Sequence, residues 1–203
     1  MLATAFDFLL EKQPALIPRA DLIFLLDSSN DVTSAVFKQQ KDFIKSIVGH
    51  FQIAPNKTRA AVIRYSNSAS AVINFNTHDN LPDLLTGIDN IRFLVGRRRL
   101  DAALREANKM RERARLGVRT YVIVLTAGRQ AVTQPLDKAA QPLLDSTAHV
   151  IVVGIGSQPD DRELRSMVDH DRDVFRLLPA ELQLQAPLLV VYLASQGGKR
   201  FLI

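Results

Sequence analysis

Two kinds of hydrophobic pattern alternate along the chain. Continuous apolar runs at residues 22–26, 121–125 and 150–153 predict strands that are buried on both faces. Apolar residues spaced three and four apart at residues 36–51 and 100–117 predict helices with one buried face. Because strands that are joined through helices run parallel, this alternation predicts an α/β fold with a mainly parallel central sheet and helices on both faces.

The segments between these elements complete the predicted order. Residues 58–65 and 69–75 predict two strands, and the polar link between them is short enough for a hairpin. Residues 174–178 predict an edge strand. Further helices are predicted at residues 133–144, 160–168 and 179–195, and Pro187 is expected to kink or split the last of them.

The alternation defines one domain, which is predicted to cover residues 20–195. Residues 1–19 precede it and are predicted to be a leader or a linker from a preceding region, while residues 196–203 are predicted to be a C-terminal linker. The longest uninterrupted apolar run, residues 188–194, has seven residues, whereas a membrane-spanning helix needs about 20. No membrane partner is therefore expected.

The residues required by common enzyme sites are missing from the expected positions. The loop after the first strand, residues 27–31, has no glycine and so does not match a dinucleotide-binding turn. Ser29 has no histidine on a neighbouring loop to act as its base. Cysteine is absent, and the four histidines lack the spacing of zinc ligands; they are His50, His78, His149 and His170. A non-enzymatic protein without a cofactor is therefore predicted.

Positive charge is concentrated in one stretch of the chain, whose formal net charge is +5. Arg97, Arg98 and Arg99 form a basic loop, and five further basic residues follow: Arg105, Lys109, Arg111, Arg113 and Arg115. One interpretation is a site for a heparin-like polysaccharide or an acidic protein surface, because guanidinium groups pair well with sulfate and carboxylate. The other is a solvated helix face whose charge is offset by Glu106 and Glu112. Nucleic acid is not an expected partner, because the chain lacks the exposed aromatic platforms on which bases stack.

Oxygen-bearing side chains follow the first predicted strand at alternate positions. Asp27, Ser29 and Asp31 have the spacing that suits a hard divalent cation. Here the sequence resembles the von Willebrand factor A (VWA) domain family, whose metal-ion-dependent adhesion site (MIDAS) begins with Asp-x-Ser-x-Ser at the end of its first strand. Five further segments match the family pattern in the same order, at residues 37–47, 59–66, 103–104, 121–129 and 150–156.

The resemblance covers roughly residues 21–195 and implies a Rossmann-like three-layer fold with one antiparallel edge strand. Within the family, the chain is most similar to the A-type modules of collagen VI, particularly those of its alpha-3 chain. This implies a secreted adhesion or protein-interaction module of the extracellular matrix, with matrix proteins or other VWA modules as its partners. Two alternatives remain open: an intracellular VWA-like scaffold domain that mediates complex assembly, and an α/β enzyme whose site carries no recognised motif.

Two of the five positions that hold the metal in this family are altered. Arg98 stands at the position of the family's threonine and Ala127 at that of its last carboxylate, while Asp31 replaces the second serine of the motif. The sequence therefore predicts a degenerate site without metal. In that site the Arg98 guanidinium is expected to substitute for the ion by pairing with Asp27.

A glycosylation sequon provides one further prediction. Asn56 begins the sequence Asn-Lys-Thr in a polar segment between a predicted helix and a predicted strand. Such a segment should be an exposed turn. Asn56 is therefore a candidate glycan site if the chain is secreted.

Overall fold

The computed structural model describes residues 19–128 and 135–197 of the chain. Within them, six strands form one sheet in the order β3-β2-β1-β4-β5-β6. The strands are β1 (Ala20–Asp27), β2 (Arg59–Tyr65), β3 (Ala69–Ile73), β4 (Arg119–Thr126), β5 (His149–Ile155) and β6 (Val174–Leu177). The helices are α1 (Ser34–Gly49), α2 (Leu81–Asp89), α3 (Leu100–Arg111), α4 (Leu136–Leu144), α5 (Asp161–Arg165) and α6 (Leu182–Gly197).

The strand directions confirm the predicted fold class. Strand β1 pairs in parallel with β2 and β4, and the parallel pairing continues through β5 to β6. Only the hairpin strand β3 runs antiparallel to its neighbour in the described sheet. As predicted, β3 and β6 form the two edges.

Strand β1 lies in the middle of the sheet, and every one of its residues is buried. Leu22, Phe24 and Leu26 point to one face of the sheet, where they join the core formed with α1 and α6. Ile23 and Leu25 point to the other face, where they join the core formed with α3 and α4. The continuous apolar run of β1 therefore reflects a sheet that is covered on both sides.

Helix α1 follows the predicted pattern of apolar residues. Its N-cap residue is Thr33, whose Oγ1 accepts a hydrogen bond from the Val36 N–H at 3.2 Å. The Phe37, Ile44 and Val48 side chains lie on its buried face. Helix α2 was not predicted from the hydrophobic pattern.

The structure corrects three predicted helix boundaries. Helix α3 ends at Arg111 and not near Gly117, which lies in the following turn with a positive φ of 71°. Helix α5 is shorter than the predicted segment 160–168. Helix α6 extends to Gly197, so it includes the first two residues of the segment predicted to be a linker.

Helix α6 is also continuous through Pro187, so the predicted split does not occur. A proline inside a helix costs about 3 kcal/mol. Five α6 side chains are buried against the sheet face: Leu182, Ala186, Leu189, Val190 and Leu193. Since full burial of one large aliphatic side chain contributes about 1.5–3 kcal/mol, their burial outweighs the cost of the proline.

Some predicted features lie outside the described residues. They are residues 1–18 of the predicted leader, residues 133–134 at the start of the helix that contains α4, and residues 198–203 of the predicted C-terminal linker. In the described part of the chain, no helix has the length and hydrophobicity needed to cross a bilayer.

Candidate functional site

The candidate site lies at the carboxyl edge of the sheet, where β1 and β4 end next to each other. The loop after β1 is held against its neighbours by the Ser28 N–H, which donates to Tyr65 O at 2.9 Å, and the Asn30 N–H, which donates to Gly96 O at 2.8 Å. The Ser28 hydroxyl donates to Leu94 O at 2.7 Å and accepts from the Leu94 N–H at 2.6 Å. These bonds fix the loop that contains the basic residues beside the end of β1.

Asp27 is fully buried, and its carboxylate is bound by the backbone. Its Oδ1 accepts from the Ser29 N–H at 3.0 Å, and its Oδ2 accepts from the Ala127 N–H at 3.0 Å. Burial raises the pKa of this carboxyl, while the nearby Ser29 hydroxyl, the two backbone donors and the charge of Arg98 act in the opposite direction. The carboxylate therefore joins the ends of β1 and β4.

Gln40 of α1 holds the backbone of Asp27, which sequence analysis did not anticipate. Its side-chain amide accepts from the Asp27 N–H and donates to Asp27 O, both at 3.1 Å. Gln40 is fully buried on an otherwise apolar helix face. The sequence did contain a signal for this role, because Gln40 stands among the apolar positions of an amphipathic helix. A buried amide at such a position must find hydrogen-bond partners.

Arg98 enters the site but does not pair with Asp27 as predicted. The residue is 4% exposed, its Nη1 donates to Thr126 Oγ1 at 3.2 Å, and its Nη2 lies 3.5 Å from Glu163 Oε2 of α5. Each Asp27 oxygen accepts a backbone N–H, and the guanidinium reaches a less buried carboxylate, Glu163. Glu163 was not anticipated, because α5 is distant in sequence from the other site residues.

Three buried polar atoms at this site have no hydrogen-bond partner within the described structure. They are Ser29 Oγ and the Nε and Nη2 atoms of Arg98, of which Nη2 makes only the ion pair with Glu163. The two arginine nitrogens are donors, and the serine hydroxyl can both donate and accept. The site therefore has donor capacity at the position that resembles a cation site.

Asp31 and Gly128 approach each other closely at the outer end of the site. Asp31 is exposed, and a Cβ atom on residue 128 would lie 2.2 Å from Asp31 Oδ2 and 2.4 Å from its Cγ. The absence of a side chain at Gly128 therefore allows the Asp31 carboxylate to lie beside the end of β4. The structure thus brings Asp31 to the same edge as Asp27 and Ser29.

The oxygen atoms available to a divalent cation are few at this edge. The Asp27 oxygens accept backbone N–H groups, Ala127 offers only a methyl group, and Arg98 brings a positive charge. No group of three or more His, Asp, Glu and Cys side chains suited to a metal occurs among the described residues. Magnesium, in contrast, requires near-octahedral oxygen coordination.

The three arginines of the basic loop do not form a common exposed patch. Arg97 is exposed, Arg98 is buried, and Arg99 binds Asp101 through Nε to Oδ1 at 2.9 Å and Nη2 to Oδ2 at 3.0 Å. The prediction that all three bind a polyanion together is therefore wrong for Arg98, whose guanidinium is directed into the site. Arg99 shares the buried Asp101 carboxylate with Arg105, so its charge is only partly offset.

Asn56 is exposed in the turn between α1 and β2, where the sequence predicted it. The Arg115 guanidinium fixes this turn by donating to Pro55 O at 2.8 Å and to Lys57 O at 2.6 Å. Asn56 therefore lies on an exposed turn, whereas Thr58 of the sequon is buried in the folded chain.

Known proteins resemble this chain in both sequence and fold. The collagen alpha-4(VI) chain of Mus musculus is 30% identical over 140 residues, which cover 68% of this chain and 6% of that protein. The von Willebrand factor A domain-containing protein 2 of Xenopus laevis is 32% identical over 141 residues, 68% of this chain and 18% of that protein. The chain therefore spans only a small part of these relatives.

Solved structures show the same fold. Proximal thread matrix protein 1 from the mussel byssus has a TM-score of 0.80 at 20% identity, over 88% of this chain and 46% of that one. Another structure of that protein, with a zinc occupied MIDAS motif, has a TM-score of 0.77 at 20% identity, over 86% and 46% of the two chains. The family model of the von Willebrand factor type A domain matches residues 21–185. The chain therefore belongs to the von Willebrand factor type A domain family.

Proposed function

We propose that this chain is a non-enzymatic adhesion module of the extracellular matrix, similar to the modules of collagen VI chains, whose carboxyl edge binds protein partners without a metal ion. Membership of the VWA family and the collagen relatives support the general role, an adhesion or protein-interaction module. The partners in this proposal are matrix proteins or other VWA modules.

The observation that carries the metal-independent part is the buried guanidinium of Arg98. It brings a fixed positive charge to the edge where Asp27 is buried, and it pairs with Glu163. A divalent cation placed beside it would meet electrostatic repulsion, which water screens little in a buried site. The cation would also lack one carboxylate ligand, because residue 127 is an alanine.

The outer surface of the same edge supports contact with a protein. Leu94 is 42% exposed and Val95 67% exposed, and both lie on the loop that also carries Arg97. Exposed apolar side chains next to a charged residue are suited to a protein interface, where apolar contacts are surrounded by polar groups. A small-molecule enzyme site would instead be a deep cavity with convergent polar groups.

We expect the purified chain to be insensitive to divalent cations. Isothermal titration with Mg²⁺ or Mn²⁺ should give no heat of micromolar binding, and the melting temperature should be the same in Mg²⁺ and in a chelator. Binding to immobilised collagen VI should also be equal in the two buffers, because no ion takes part in the contact. A VWA domain that binds metal provides the positive control.

Micromolar metal binding, or a clear drop in melting temperature on chelation, would contradict the metal-independent site. Equal binding to collagen VI and to an unrelated coated protein would contradict the proposed partner class. The variant Val95→Asp should weaken the contact with collagen VI, because it places a charge in the apolar part of the edge.

We also expect a glycan on Asn56 when the chain is produced in secreting mammalian cells. The acceptor Asn56 lies on an exposed turn, where the folded chain has room for a glycan. Peptide mass mapping should find modified Asn56, and the variant Asn56→Gln should be secreted without this modification. Secreted material in which Asn56 is unmodified would remove this support for an extracellular location and would favour the intracellular scaffold.

A further inference from the structure

A groove separates the two helices that cover one face of the sheet. Helices α3 and α4 pack side by side on the core face that contains Ile23 and Leu25, and a groove of about 380 Å³ opens between them. Six side chains line it: Arg105, Asn108, Lys109, Lys138, Ala139 and Pro142. This lining contains three cations and no carboxylate.

The cations of the groove are accessible. Lys109 is 67% exposed at its side chain and pairs with Glu106 at 3.1 Å, but such an exposed pair holds its partners weakly. Lys138 is exposed on the opposite wall. The Arg105 side chain is 41% exposed and is held by the buried Asp101 carboxylate, which fixes the guanidinium at the rim.

The lining of the groove is mostly apolar, and its polar groups are chiefly hydrogen-bond donors. The only side-chain amide in it belongs to Asn108, whose Oδ1 already accepts from Arg111 Nη2 at 2.7 Å. The remaining lining residues contribute ammonium or guanidinium donors, or the apolar surfaces of Ala139 and Pro142. A ligand rich in acceptors fits this groove better than a peptide, whose backbone N–H groups also need acceptors.

We propose that the α3–α4 groove binds a sulfated polysaccharide, with Arg105 and Lys109 on one wall and Lys138 on the other contacting sulfate groups. Arg105 and Lys109 lie one helical turn apart, so their charges follow each other along the groove. The apolar floor accommodates the apolar face of a sugar ring. This proposal rests on the proposed extracellular function, since sulfated polysaccharides are components of the matrix, and it replaces the basic loop as the polyanion site.

The test compares two variants that lose the same charge on opposite faces of the sheet. Lys109→Ser/Lys138→Ser removes one cation from each wall of the groove, while Lys38→Ser/Lys41→Ser removes two lysines of α1 on the other face. Affinity of the full chain for a heparin oligosaccharide is measured by titration at several salt concentrations. The groove variant is expected to bind about tenfold more weakly, which corresponds to about 1.4 kcal/mol, because it loses two of the three cations that contact sulfate.

The expected pattern is specific to the groove. The α1 variant and Arg97→Ser should bind within about twofold of the unmodified chain, and attraction should decrease with salt because charges are screened over about 8 Å at physiological ionic strength. Desulfated heparin should bind poorly. Thermal melts check that each variant is folded.

Three results would overturn the proposal. Equal losses of heparin affinity in the groove and α1 variants would indicate a response to net charge alone. Equal binding of heparin and desulfated heparin would exclude sulfate recognition. Tighter binding of polyglutamate than of heparin would indicate an acidic protein partner. None of these depends on divalent cations. Failure of the groove is therefore distinguishable from failure of the metal-independent edge, which is measured by metal titration.

Discussion

Replacing Asp21 with alanine is expected to lower the free energy of unfolding by about 3–5 kcal/mol, since removal of one member of a buried ion pair leaves its partner's charge uncompensated. Asp21 is fully buried at the end of the sheet opposite the candidate site. Its carboxylate accepts from Arg59 Nε at 2.9 Å, from Arg59 Nη2 at 2.8 Å and from Arg115 Nη2 at 2.7 Å. Two guanidinium groups would therefore lose their counter-charge together.

Chemical denaturation of the two proteins measures this loss, and Asp42→Ala is the matched control. Asp42 also pairs with two cations, Lys38 and Lys45, but it lies on the surface of α1. Exposed pairs contribute about 0–1 kcal/mol, so this control should lose no more than that. Similar losses for the two variants would show that the Asp21 cluster stabilises the fold no more than a surface pair.

The same cluster predicts a loss of stability in acid. Burial alone would raise the pKa of Asp21, but hydrogen bonds from Arg59 and Arg115 outweigh it and hold the pKa below its ordinary value. The stability from this carboxylate is therefore complete above its unfolded pKa of roughly 4 and is lost as the pH falls through the lower folded value. Asp21→Ala should show a smaller loss of stability over that acid range.

The double variant Arg98→Thr/Ala127→Asp is expected to convert the carboxyl edge into a site that binds Mg²⁺ or Mn²⁺. Arg98→Thr removes the buried positive charge and adds a hydroxyl, while Ala127→Asp adds a second carboxylate next to Asp27. At a metal concentration of 100 times Kd, binding would stabilise the fold by about 2.7 kcal/mol. For a chain of this size, the melting temperature should rise by roughly 5–10 °C.

The two single variants separate the two effects. Ala127→Asp alone keeps Arg98, which offers the new carboxylate a guanidinium partner, so metal should not change its melting temperature. Arg98→Thr alone lacks the second carboxylate and should bind metal only weakly. If the double variant folds and still shows no response to metal, the residues at positions 98 and 127 are not what determines metal binding at this edge.

The fold was largely predictable because most of its elements have a strong local pattern. Strand β1 is a continuous apolar run, and α1 has apolar residues at regular helical spacing. Helix α2 was missed because only Leu84 and Ile88 are buried on it, a single pair that gives a weak periodic signal. Its start was nevertheless marked by Asn80, whose side chain accepts a hydrogen bond from the Asp83 N–H at 2.9 Å.

The candidate site was predictable in position but not in its contacts. Asp27 and Ala127 follow two buried strands, and neighbouring parallel strands end at the same edge of the sheet. The partner of Arg98 was predicted wrongly, because a long side chain can reach several acceptors and the packing of the folded loops determines which of them it meets. The Asp27 oxygens are occupied by backbone N–H groups, which only the folded loops bring there.

The amino-acid sequence by itself determined the order of the strands and of every helix except α2, the burial of the central strands on both faces and the loss of a carboxylate at Ala127. These properties depend on local periodicity and on residue type, which are visible in the linear chain. The tertiary structure alone decided that Arg98 is buried and bound to Thr126 and Glu163, and that α3 and α4 enclose a groove lined by cations. Such contacts join segments far apart in the chain, and they are set by the competition of many side chains for space and hydrogen-bond partners in the packed protein.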